Sequence, residues 1–272
     1  IQRLVRRLPV GEAVVDLRHC IALHQDGKLD EAILCYRQAL PQDTTGAQVN
    51  RLLGLALFAK GDAATALTHV EAAAARAPRD PVLLNDLGNV LRALDRRPDA
   101  VQAFRRAIQA DPRFTFAHFN LADALLELGR HAEALEAYRA ILVRRMEGMD
   151  ADFHNNIGTC LMALGRAEEA FTAFRAALAA DPTHAAAAVH AGAALQRMGR
   201  NRDSVEFLRH TARTHGATLP LLATLGQGLL NLTDHAPALE VFDELLRRQP
   251  DLERGLVGKG LALSGLRRHK EA

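Results

Sequence analysis

The stretch running from Asn85 through Asp86, Leu87, Gly88, Asn89 and Val90 to Leu91 returns along the chain in diverged copies that start at residues 17, 51, 119, 155, 189, 223 and 257. Successive starts, 85 included, lie 34 residues apart, except for a step of 36 from 119 to 155. Spacing that regular means one structural unit copied in tandem, in which each copy buries its apolar face against its neighbours and no single central core forms. Composition agrees. With 49% hydrophobic and 24% charged residues the chain is neither disordered nor collagen-like, and 4% aromatics with no Trp suits thin, Ala-lined layers.

The residue types inside each unit follow a fixed order. The third and seventh positions of the motif are apolar, as in Leu53 and Leu57, Leu87 and Leu91, Leu121 and Leu125, and Ile157 and Leu161, four apart on one helical face. Between them stands a small residue (Gly54, Gly88, Ala122, Gly158, Gly192, Gly226, Gly260), which lets a neighbouring helix approach. Further on comes a helix-ending glycine at Gly27, Gly61, Gly129, Gly165 or Gly199. A second helix then opens on acids such as Asp30, Glu31, Asp62, Asp99, Glu133, Glu168, Glu169 and Asp203, which complement the helix dipole. Its buried face repeats as Ala66, Val70, Ala73; Ala100, Phe104, Ala107; Ala134, Tyr138, Ile141; Ala170, Phe174, Ala177; and Ala238, Phe242, Leu245. Proline at Pro78, Pro112, Pro182 and Pro250 stops it.

This pattern of small, aromatic and proline positions resembles the tetratricopeptide repeat, a 34-residue helix-turn-helix unit, over residues 13–272. The resemblance implies an all-α, right-handed superhelical solenoid of stacked antiparallel helix pairs, with the first helix of each pair lining a concave groove. Residues 1–12 are expected to form a flanking helix or cap. Repeats are expected at 13–46, 47–80, 81–114, 115–150, 151–184, 185–218 and 219–252, with a truncated eighth at 253–272. The two extra residues fall near Arg144–Asp150, where a change of superhelical pitch is expected. The absence of a starting Met and the half repeat at Ala272 point to a segment of a longer protein.

Little in the chain points to chemistry. The two serines, Ser204 and Ser264, lie in no GxSxG motif, there is no phosphate loop, and none of the 12 histidines forms HxxxH or HExxH spacing. His118 and His154 occupy equivalent positions in adjacent repeats and read as packed or solvated side chains. No catalytic constellation, metal or cofactor is expected. Cys20, Cys35 and Cys160 show neither paired spacing nor CxxC, so no disulfide is expected, and a reducing, cytoplasmic setting follows. The run Gly216–Thr233 is uncharged but in phase with the repeat, and reads as a buried helix instead of a membrane span. A net charge of +2 gives no general pull toward nucleic acid or anionic lipid.

The family geometry implies a groove lined by Val82, Asn85, Asp86, Asn89 and Arg92 in the third repeat, Phe116, Phe119, Asn120, Asp123 and Leu126 in the fourth, and Asp152, Asn155, Asn156, Thr159 and Met162 in the fifth. Asp86, Asn120 and Asn156 share one register position. A carboxamide donates and accepts at once, so such a row can grip the backbone of an extended peptide. The row resembles the asparagine ladder in the superhelical arm of O-linked N-acetylglucosamine transferases. The basic pair of the chaperone-binding carboxylate clamp is missing from the central units, where Phe116 and Asn120 stand. The expected function is a non-catalytic scaffold for a peptide or protein segment, with micromolar affinity and no nucleic-acid or membrane partner. The alternative is the substrate-recruiting arm of a modifying enzyme, such as a glycosyltransferase, whose catalytic domain lies beyond residue 272. An RNA-binding helical repeat is disfavoured by the 34-residue period and the near-neutral charge.

Overall fold

The computed structural model describes residues 15–43, 46–143 and 150–268. They form two compact units, Ile1–Leu128 and Gly129–Ala272, divided in the turn that follows the seventh helix. The first unit holds α1 (Leu17–Gln25), α2 (Leu29–Ala39), α3 (Gln48–Ala59), α4 (Ala63–Arg76), α5 (Pro81–Ala93), α6 (Arg97–Ala110) and α7 (Thr115–Glu127). The second holds α8 (His131–Val143), α9 (Ala151–Ala163), α10 (Ala167–Ala180), α11 (Ala185–Arg197), α12 (Asn201–His215), α13 (Leu219–Asn231), α14 (His235–Arg248) and α15 (Glu253–Gly265). The all-α repeat array expected from the period is what forms. The expected N-terminal cap, the change of pitch at the inserted residues, and the start of an eighth second helix lie outside the described residues.

Local chemistry sets the helix ends. α4, α6, α10 and α14 stop two residues before Pro78, Pro112, Pro182 and Pro250. After the first helix of each repeat, one position takes positive φ in all eight copies. Glycine fills it at Gly27, Gly61, Gly129, Gly165 and Gly199, while Asp95, Thr233 and Arg267 hold the same left-handed conformation at φ 62°, 61° and 59°. Some first helices begin on side-chain caps, as where Asp80 Oδ1 accepts from Val82 N at 2.8 Å and Asp150 Oδ1 accepts from Phe153 N at 2.9 Å. Four second helices open on an arginine that donates to an acid three residues on, in Arg96–Asp99, Arg130–Glu133, Arg166–Glu169 and Arg200–Asp203, while α4 begins on an Asp62 cap. Of the acids read from the sequence, Asp99, Glu133, Glu169 and Asp203 are therefore ion-paired as well as placed at the dipole.

Packing follows from one small and one large position. Within each unit α1 packs on α2, α3 on α4, α5 on α6, α9 on α10, α11 on α12 and α13 on α14. The large second-helix residues Tyr36, Val70, Phe104, Tyr138, Phe174, Leu208 and Phe242 are 1% exposed or less. Each completely buried side chain of this size contributes about 2 kcal/mol by removing apolar surface from water. The small first-helix residue makes room for it. A Cβ on Gly88 would stand 2.3 Å from Phe104 Cε1, and one on Gly158 2.4 Å from Phe174 Cε1.

One expectation is corrected. Cys20, at the small position of the first repeat, is bonded to Cys35 on the second helix, with Cα atoms 5.4 Å apart; Cys160 alone stays a buried thiol. The antiparallel turn of the helix pair brings residues 15 apart in sequence into contact, which cysteine spacing does not register. No helix among the described residues is long and apolar enough to cross a membrane, and Leu219–Asn231 within the uncharged run packs as α13.

Candidate functional site

In each unit the first helices also pack on one another: α5 on α3 and α7 in the first, and α11 on α9 and α13, with α13 on α15, in the second. Among the described residues, no two second helices of a unit pack comparably closely. The polar motif residues therefore sit on the closely spaced side, where side chains from neighbouring repeats reach each other.

They do so in a regular way. The first motif residue of one repeat meets the second residue of the next, 35 positions later. Arg51 Nε donates to Asp86 Oδ2 at 2.6 Å, and Asn120 Nδ2 donates to Asn85 Oδ1 at 2.8 Å. In the second unit His190 Nδ1 lies 2.9 Å from Asn155 Oδ1. Asp86 and Asn120, expected as members of a ligand-facing row, thus spend part of their capacity on the preceding repeat. Asn120 keeps its carbonyl oxygen and a second N–H, since a carboxamide carries four hydrogen-bonding sites. Burial pushes the Asp86 carboxyl above the usual carboxylate range, and the Arg51 guanidinium pulls it part of the way back.

The remaining first-unit residues differ in how far they are committed. Asn89, one turn from Asn85, is half-buried and makes no side-chain hydrogen bond among the described residues. Arg92 stands 4.0 Å from Glu127, which also accepts from Arg97 at 3.1 Å. Phe119 and Asp123 are half-buried and engaged with neighbours. Phe116 is 69% exposed, its ring edge-on to Phe114 at a centroid distance of 6.0 Å. A solvated aromatic of that size on a polar face is a ready contact for an apolar side chain. His118 is buried, with Nε2 3.0 Å from the Pro112 carbonyl, which makes it a packed histidine.

In the second unit Asn155 is buried, Asn156 is half-buried with a neighbour engaged, and Thr159 Oγ1 donates back to the Asn155 carbonyl at 3.0 Å. Asp152 is exposed and lies 3.0 Å from His184 Nε2, while His184 Nδ1 accepts the Ala187 N–H that caps α11. Because Nδ1 is an acceptor, the ring proton sits on Nε2 and is donated to Asp152. Burial, with His184 adding to it, holds His190 below the ordinary histidine value. Arg51 and His190 were not among the expected site residues. The signal that finds them is the 35-residue offset, which the stacking of one repeat on the next sets.

Comparisons with known proteins agree with the repeat fold. Models described as tetratricopeptide repeat match residues 85–148 and 151–184, and one described as TPR repeat matches residues 22–61. A segment of 120 residues, 44% of this chain, is 33% identical to the peroxisomal targeting signal receptor of Eremothecium gossypii and spans 21% of that receptor. A segment of 125 residues, 45% of the chain, is 30% identical to the receptor of the same name from Candida albicans, again 21% of its length. Among solved structures, the C-terminal part of a TPR repeat-containing protein from Cytophaga hutchinsonii aligns with TM-score 0.72 and 13% identity, over 89% of this chain and 99% of that one. YrrB, described as a TPR protein with an unusual peptide-binding site, aligns with TM-score 0.59 and 17% identity, over 70% of this chain and 97% of that one. At such identities the likeness speaks to the fold alone. The sequence relatives are targeting-signal receptors, so the resemblance to the transferase arm is narrowed to the repeat family.

Proposed function

Because this chain is a tetratricopeptide-repeat protein, we propose that it is a non-catalytic binding scaffold whose first-helix faces hold an extended peptide or protein segment. The observation that carries the reading is the interrepeat pairing of Asn85 with Asn120, beside the uncommitted Asn89 and the solvated Phe116. Carboxamides locked to a neighbouring repeat lose little freedom when a ligand arrives, so their remaining donors and acceptors are preorganised for a peptide backbone. In the first unit Asn85, Asp86, Asn89, Arg92, Phe116, Phe119, Asn120 and Asp123 form the proposed face. In the second it is Asp152, Asn155, Asn156 and Thr159. The names of the relatives, receptors for a targeting signal and a protein with a peptide-binding site, support the same class of ligand. A cytoplasmic setting has to accommodate the Cys20–Cys35 bond, which persists mainly in oxidising compartments.

Titration of the full chain against an array of twelve-residue peptides tests the reading. Micromolar binders are expected. Asn89→Ala, which breaks no internal pair, is expected to weaken them about fivefold, the equivalent of one net hydrogen bond of ~1 kcal/mol. Methylating the peptide nitrogen opposite Asn89 is expected to do the same. Binders indifferent to both changes, or an array with none, would refute it.

A further inference from the structure

The imidazole of His190 is held so that one of its two nitrogens is left for a ligand. His190 is the second motif residue of the sixth repeat, in register with Asp86, Asn120 and Asn156. Its Nδ1 lies 2.9 Å from Asn155 Oδ1, and an amide oxygen only accepts, so the ring proton sits on Nδ1 and Nε2 carries the lone pair. The same sense holds in the first unit, where Asn120 Nδ2 donates to Asn85 Oδ1. The nearby His184 has the opposite tautomer, since its Nδ1 accepts from Ala187 N and its Nε2 donates to Asp152. The buried Phe174 ring packs on the His190 imidazole at a centroid distance of 5.3 Å and holds its orientation. Among the described residues, the ring nitrogens buried without a partner are Nδ1 of His131 and of His235; His190 Nε2, which has no partner there, is therefore open to solvent.

Resting on the scaffold reading above, we propose that His190 Nε2 accepts one backbone N–H of the segment held by the second unit, which excludes proline at that residue of the segment and makes its binding acid-sensitive. The neutral nitrogen accepts a peptide N–H in the way a carbonyl does. Proline has no N–H to offer and puts a ring carbon in its place. Protonation adds an N–H at Nε2, so that two donors face each other. Linkage fixes the sign. A segment that binds the neutral ring opposes its protonation, so affinity is level while His190 is neutral and falls as the pH drops below the folded value, itself under 6.5. The elements packed on α11 bring few charges to the ring. α9 carries Asp152, which His184 engages, and His154; α10 presents Phe174, and α12 presents Leu208 and Ser204, with the adjoining Arg175 and Arg209 exposed; α13 has no charged residue. His184, ahead of α11, adds to burial in keeping His190 neutral.

Two measurements on the full chain test this. Nitrogen-15 NMR of the free protein at pH 7 reads the tautomer without any ligand: a protonated Nδ1 and a bare Nε2 are expected at His190, and a proton on Nε2 overturns the proposal. The twelve-residue peptide array is then probed at pH 7 and pH 5, each binder accompanied by its proline scan and the fold verified by circular dichroism. Binders are expected that weaken about fivefold at pH 5 and as much with proline at one position, the effect of losing one net hydrogen bond. His190→Asn, whose carboxamide accepts but does not titrate, should keep the proline effect and lose the acid effect. His190→Leu should bind at pH 7 as weakly as the unmodified chain does at pH 5, and be indifferent to that proline. An acid effect equal in His190→Asn and the unmodified chain, or a proline scan unaltered by His190→Leu, overturns the acceptor role and leaves the scaffold standing. An array with no binders overturns both.

Discussion

Gly88 is bare because Phe104 already occupies the place its side chain would take. Helix propensity alone says that alanine should stabilise α5 by about 1 kcal/mol at this position. Packing says the opposite, since a Cβ 2.3 Å from a ring that is itself fully buried has no room to relax. Gly88→Ala is expected to destabilise by about 1–3 kcal/mol in urea unfolding, and a gain in stability would refute the packing account. Thr233 poses the reverse case. A β-branched residue held at φ 61° carries strain of about 1–2 kcal/mol, so Thr233→Gly should raise the denaturation midpoint. The sequence showed five of the eight left-handed positions because glycine marks them. Asp95, Thr233 and Arg267 were invisible there, as the turn forces their backbone regardless of residue type. Acid sensitivity is also set by single residues. Burial holds His69, His154 and His190 below 6.5, so the unfolded chain binds protons that the folded one resists. Their contribution is complete above pH 6.5 and is lost as the pH falls below it, toward the lower folded values. Stability measured between pH 7 and 5 should therefore fall, and fall less steeply in His190→Gln.

The helix pair α1–α2 departs most from what the sequence led one to expect. Cys20 occupies the small position that Gly88 and Gly158 hold elsewhere, and its side chain is accommodated by bonding sideways to Cys35. Closing a loop over a separation of 15 residues contributes about 3 kcal/mol in the chain-entropy picture. Alkylation in denaturant is expected to find one reactive thiol, Cys160, before reduction and three after it; three before reduction would remove the bond. After reduction, amides of α1 should exchange faster while those of α5 keep their protection. Neither the bond nor the interrepeat pairs could be read from local spacing. Residues 20 and 35 meet only because a turn folds one helix back on another. Asn85 and Asn120 meet only because a whole repeat stacks on the next. Helix existence, helix ends and the small and large positions were legible, since each is fixed by residues close in sequence. Contacts that depend on how one pair leans on the next were not.

Among the described residues, close packing within each unit runs between helices one or two apart in chain order. Stability is then a sum of repeat and nearest-neighbour terms, so an injury should stay near where it is made. The period revealed this architecture; which polar residues remain open to a ligand required the structure, because Asp86 and Asn120 of the row turned out to be bonded to the preceding repeat. Gly226 gives a clean test of locality inside the second unit. A Cβ there would stand 2.6 Å from Phe242 Cζ, against the ring that also lies beneath Gly258. In native-state hydrogen exchange Gly226→Ala should lower protection in α13, α14 and α15 and more weakly in α11 and α12, leaving α9 and α10 unchanged. An equal loss from α9 to α15 would mean that the unit opens as one cooperative block, and that tuning one repeat for a ligand necessarily changes the others.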